Sequence, residues 1–143
     1  MSNPQASKAM NAYAATAVQS ALEGASPHRL IQMLLDGALD KIAVARGCLE
    51  RGDPAGKGRH VSWAISIVSG LRASLDRERG GEIAANLDAL YDYMERRLVE
   101  ANRQNDAAIL DEVAGLLRQI KEAWDAIGDQ AGALAPARAR VSP

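Results

Sequence analysis

The chain has 143 residues, a net charge of -1 and an isoelectric point near 6.1. That is the size of one domain, long enough to bury a core without metal or disulfide staples. Lys and Arg are interleaved with Asp and Glu, so no basic face is offered to a polyanion and no nucleic-acid partner is expected. Hydrophobic residues make up 48% of the chain, yet Phe is absent and aromatics are only 3%. Ala, Leu, Ile and Val must therefore fill the interior, which suits closely packed helices. Cys48 is the sole cysteine; it rules out an intramolecular disulfide and fits a reducing cytosol.

In chain order, the first residues show no basic stretch followed by an apolar run, so no secretory signal is expected. Residues 1–24 read as a flexible N-terminal segment containing a weak amphipathic stretch. In it Met10, Tyr13, Val18 and Leu22 share one helical face. Ser26-Pro27 opens the first strong helix, because a serine caps free amides and proline suits the first helical position. Its stripe is Ile31, Leu34, Leu35, Ala38, Ile42, Ala45 and Leu49, and Gly52 is the expected left-handed end. Gly37, inside the apolar-rich run Met33–Leu39, suggests a close helix approach.

Asp53-Pro54 repeats the start signal. Gly56 and Gly58 should weaken the first turns of the second helix, after which Ala64, Val68, Leu71 and Leu75 form its stripe. Gly80-Gly81 is its expected end. The third helix is expected from about Glu82 to Asn102, with Ile83, Leu87, Leu90, Met94, Leu98 and Ala101 on one face. Asp106 should cap the fourth, whose stripe is Ile109, Val113, Leu116, Ile120, Ala123 and Ile127. From Gly128 to the end no periodicity remains, and residues 128–143 read as a disordered tail. Helices of roughly 20–25 residues joined by a few residues must run antiparallel. The expected fold is therefore all-α: an antiparallel up-down four-helix bundle over residues 25–127, with a short N-terminal helical cap segment. No apolar run approaches the length of a membrane span, so no membrane insertion is expected.

No catalytic set stands out. Neither His28 nor His60 has an acid three residues before it, as the Glu-x-x-His pairs of di-iron bundles require. His60 lacks the Lys-Gly neighbourhood usual beside a phosphotransfer histidine, although a phosphotransfer-type signalling domain and a non-catalytic adaptor bundle remain the alternative readings. Gly80-Gly81-Glu82 has neither the preceding strand nor the Gly-Lys-Ser/Thr ending of a phosphate loop. No enzyme activity, cofactor or metal is expected. More informative are Trp63, Ile67, Tyr91 and Tyr93, which lie off or beside the main stripes. They give either a broad core face or a second apolar surface able to receive a partner helix.

The segment Ala25-Ser26-Pro27-His28-Arg29-Leu30-Ile31-Gln32-Met33-Leu34-Leu35-Asp36-Gly37-Ala38 resembles the opening signature of the flagellar secretion chaperones, the FliS family. So does Ser74-Leu75-Asp76-Arg77-Glu78-Arg79-Gly80-Gly81-Glu82-Ile83-Ala84-Ala85-Asn86-Leu87, continued by Leu90-Tyr91-Asp92-Tyr93-Met94-Glu95-Arg96-Arg97-Leu98, Ala101-Asn102 and Glu122-Ala123-Trp124. Leu35 stands where the family usually has tyrosine. The resemblance implies a cytosolic export chaperone that binds the disordered C-terminal segment of flagellin and prevents premature filament polymerisation. It further implies delivery of the subunit to a flagellar type III export gate component at the membrane. Motif positions and the extra apolar face together give Trp63, Ile67, Leu71, Asn86, Leu90, Tyr91 and Met94 as the expected partner-binding residues. Met10, Tyr13, Val18 and Leu22 are the expected cap-segment residues.

Overall fold

The computed structural model describes residues 25–128. The expectations for residues 1–24, including the cap segment, and for the tail beyond Gly128 lie outside the described residues. Four helices follow in order: α1 (Pro27–Glu50), α2 (Pro54–Ala73), α3 (Arg77–Gln104) and α4 (Ala107–Ile127). Each start carries its own signal. Ser26 accepts from the Arg29 amide ahead of Pro27, and Asp53 accepts from the Gly56 amide ahead of Pro54. Asp76 accepts from the Arg79 amide, and Asp106 from the Ala108 amide. These side chains satisfy amides that have no partner inside the helix.

The helices pack in a ring, α1 on α2, α2 on α3, α3 on α4 and α4 on α1. Pairing sense follows from the side chains that meet. The start of α1, at His28 and Gln32, meets the end of α4 at Trp124 and Asp125, while further along α1 Asp36 meets Lys121 and Arg46 meets Asp111. Likewise Lys57 of α2 meets the C-terminal end of α3 at Asn102, whereas Arg72 meets Asp88 near its start. Neighbours in both pairs run in opposite directions. The core is built from small and aliphatic side chains, among them Leu35, Ala38, Ala45, Ala64, Val68, Leu98, Val113 and Leu117, all at or near zero exposure. Gly37 lies against Ile67 of α2; a Cβ built on it would sit 3.5 Å from the Ile67 Cδ1, so the approach is close but leaves room for a methyl group.

Three expectations are corrected. The second helix ends at Ala73, not at Gly80-Gly81, because Asp76 opens a new helix first. A turn of helix at Arg77–Gly80 then precedes the main run of α3, and the backbone breaks between them at Gly81 (φ 52°, ψ -125°), a conformation that only glycine adopts at little cost, so the continuous helix starts at Glu82 as expected. Gly56 does not merely weaken a helix start: it is buried, and a Cβ there would lie 2.8 Å from the Cys48 sulfur. Its missing side chain is what lets α2 begin hard against the end of α1. The stripe of α4 is also turned from the expected one. Leu110, Ala114 and Leu117 are buried beside Ile109 and Val113, whereas Ala123 is exposed.

Candidate functional site

The two ends of the ring are built differently. At one end lie the α1–α2 and α3–α4 turns. Here Lys57, 7% exposed, donates to the Asn102 carbonyl at 2.8 Å and to the Asn105 side-chain oxygen. An ammonium over the end of α3 satisfies carbonyls that lack helical partners and meets the negative end of the helix dipole. Asn105 itself takes the left-handed conformation that closes the helix.

At the other end lie the start of α1, the α2–α3 turn and the finish of α4. An apolar groove opens here, about 550 Å³ counted out to its mouth. Leu71 and Tyr91, 1% and 3% exposed, form its floor. Ile31 and Leu87 line it from α1 and α3, and Ile120 and Trp124 from α4. Leu75, in the α2–α3 turn, and Ile83, just past the Gly81 break, stand on the opposite side. Ile83 is 56% exposed, unusual for a large aliphatic residue on a helix stripe. Besides the Tyr91 phenol and the Trp124 indole, only Ser74 and Asp76 bring polar groups on side chains to the lining. Burial pushes the Tyr91 phenol up to about 12, so the floor stays neutral at any physiological pH.

Polar clasps flank the groove. Between α2 and α3, Arg72 pairs with Asp88 (2.7 Å), Asp92 (3.2 Å) and Glu95 (3.3 Å), and Arg77 joins Asp88 at 2.9 Å. The hydrogen bond from Arg72 holds the Asp88 carboxyl below the ordinary range. Between α1 and α4, Gln32 donates to Asp125 at 2.7 Å, and Lys121 lies between Asp125 and Asp36. The hydrogen bond from Lys121 likewise lowers Asp125.

The residues expected from sequence to bind a partner fall into separate places. Leu71 and Tyr91 belong to the groove floor. Met94 is fully enclosed in the core, and Leu90 is half-buried at its edge. Asn86 is exposed on α3. Trp63 and Ile67 lie on the outer α1–α2 face. There Trp63 is 39% exposed, stacks near His60, and carries the Lys41 ammonium 3.9 Å from its ring centre. Sequence reasoning did not assign Ile31, Leu75, Ile83, Leu87, Ile120 or Trp124 to a site. Ile31, Ile83 and Trp124 lie within the outer turns of their helices and Leu75 in the turn, with Leu87 and Ile120 further in from the same end. For the five aliphatic residues, position toward one end of a stripe is the available signal; Trp124 stands in no stripe.

Neither histidine stands free. His60 Nδ1 lies 2.8 Å from the Gly56 carbonyl, and His28 Nε2 lies 2.7 Å from the Trp124 carbonyl. Among the described residues no group of three or more His, Cys, Asp or Glu is placed to hold a metal, and no helix is long and apolar enough to cross a membrane.

A family model described as "Flagellar protein FliS" matches residues 9–131. Among curated relatives, the flagellar secretion chaperone FliSB of Pseudomonas aeruginosa is 51% identical over 122 residues, covering 85% of this chain and 97% of the relative. The flagellar secretion chaperone FliS of Salmonella typhimurium is 54% identical over 123 residues, covering 85% and 91%. That of Escherichia coli is 44% identical over 120 residues, covering 83% and 88%. The family-model match takes in all four helices and every residue of the groove, and the chain belongs to the flagellar protein FliS family.

Proposed function

We propose that this protein is a cytosolic export chaperone whose groove receives apolar side chains from the C-terminal segment of flagellin. It thereby prevents premature filament polymerisation and assists delivery of the subunit to the flagellar export gate. The observation that carries this reading is an apolar cleft with a mostly aliphatic lining at one end of a helical bundle in the FliS family. An amphipathic helix presents apolar anchors at three- and four-residue spacing, and burying them is the main source of affinity in helix-in-groove recognition. A binding role needs no reactive group.

Met10, Tyr13, Val18 and Leu22 are proposed as a cap for the same groove. They precede α1, whose second turn brings Ile31 to the groove lining. A short tethered segment docks at high effective concentration although it is too weak to hold a helix alone. Deleting residues 1–22 should then tighten flagellin binding.

Calorimetric titration with roughly the last forty residues of the flagellin of the same cells, one to two helices of binding surface, tests the reading. A saturable complex with a clearly negative heat-capacity change is expected, since apolar surface is buried. No binding, or binding without that change, contradicts it.

A further inference from the structure

One wall of the groove is held in an unusual way. Trp124 lies in the last turn of α4, and its carbonyl is among those that have no intrahelical partner. His28, in the first turn of α1, supplies one. Its Nε2 lies 2.7 Å from that carbonyl, and a carbonyl only accepts, so this nitrogen carries the proton. In return the Trp124 indole N–H donates to the His28 carbonyl at 2.9 Å. The two rings stack, centres 5.2 Å apart and planes 10° from parallel. Three contacts therefore join two residues 96 positions apart, at the one place where the start of the first helix meets the finish of the last.

The indole so fixed is itself part of the groove lining, alongside Ile31 and Ile120. Trp124 is only partly buried and packs against the edge of the core, so one face of the indole is open to the groove and the clamp adds what the core contact does not fix. Without the clamp the indole would lose both hydrogen bonds and the stack that fix its angle to α1. A partner would then spend part of its binding free energy on ordering the wall.

We propose that His28 is a positioning residue for the groove: by clamping Trp124, it presets the α1–α4 wall against which a partner's apolar side chain packs. The proposal rests on the groove being the flagellin-binding site. A purely structural clasp would instead affect stability alone.

The chain has two tryptophans, so a Trp63→Phe reference leaves Trp124 as the sole indole emitter. In that reference, His28→Ala and His28→Phe would be compared by Trp124 emission, by acrylamide quenching, and by affinity for the flagellin C-terminal segment. The alanine variant should shift emission to the red, raise quenching and weaken binding about tenfold, the size expected for one lost anchoring interaction. The phenylalanine variant keeps the stack without the donor and should fall between the two. It also provides the answer if the alanine variant folds poorly. Unchanged emission in both variants overturns the clamp. Red-shifted emission with unchanged affinity overturns the positioning role. Binding is measured first in the parent protein: a parent that binds no flagellin segment overturns the functional reading and the binding half of this proposal, while the emission readings still decide the clamp.

Discussion

The same four helices finish in opposite ways at the two ends of the bundle. At the sealed end, the α1–α2 turn closes over the buried Gly56, and Lys57 is folded in under Asn102 and Asn105. At the open end, α2 and α3 are joined through Ser74–Asp76, the α3 backbone breaks at Gly81, and an apolar groove is left between the helices. Both ends have glycines, acidic caps and aliphatic stripes. What separates them is how the last layer is covered: one end by a polar lid of helix-end contacts, the other by nothing among the described residues. Stability should accordingly be concentrated at the sealed end and recognition at the open one, and substitutions can set the two apart.

The largest effect on stability should come from Gly56→Ala. The new methyl group would lie against the Cys48 sulfur and the Asp53 carboxylate, and moving that carboxylate aside would give up its capping bond from the Gly56 amide. Overpacking of this kind costs about 1–3 kcal/mol. Chemical denaturation should show the loss, with flagellin affinity per folded molecule unchanged. Lys57→Met should cost about 1–2 kcal/mol, because the Asn102 carbonyl and the Asn105 side chain lose their donor. Asp106→Ala removes the cap of α4 and should cost about 1 kcal/mol, read as a lower melting midpoint.

The smallest effect is a matter of pH. Asp88 beside the groove is held below its ordinary range by the hydrogen bond from Arg72. A carboxylate lowered in the folded state contributes stability above its unfolded pKa and loses that contribution as pH falls through the folded value. The acid limb of a stability–pH curve should therefore be shallower in Arg72→Met than in the parent, while the two curves run parallel above the carboxylate range.

How far the sequence foretold this depends on whether the cause is local. Ser26-Pro27, Asp53-Pro54 and Asp106 mark helix starts because a cap acts within three residues of itself. The end of α2 was harder to see. Its stripe runs on through Leu71 to Leu75 without interruption, and only the capping bond from Arg79 to Asp76 reveals that a turn intervenes. Lys57 reads as a solvated residue in a first turn until α3 is brought over it. The two tryptophans show the same limit. Trp63, off the main stripe, stands on an outer face under Lys41, whereas Trp124, read only as part of a motif, lines the groove. Periodicity says which side of a helix faces inward, but not which layer of that side lacks a neighbour.

The central claim is that recognition belongs to the open end, and α3 offers an internal control. Ile83 and Val99 are aliphatic residues of the same helix and each is 56% exposed, but Ile83 lines the groove and Val99 does not. Ile83→Asp and Val99→Asp should both leave the melting midpoint close to the parent, as exposed substitutions usually do. Titrated with the flagellin C-terminal segment, Ile83→Asp should weaken binding tenfold or more, roughly the cost of placing a charge in an apolar site, and Val99→Asp should bind as the parent does. Equal losses in the two variants, or the larger loss in Val99→Asp, would contradict the assignment of the open end as the binding site.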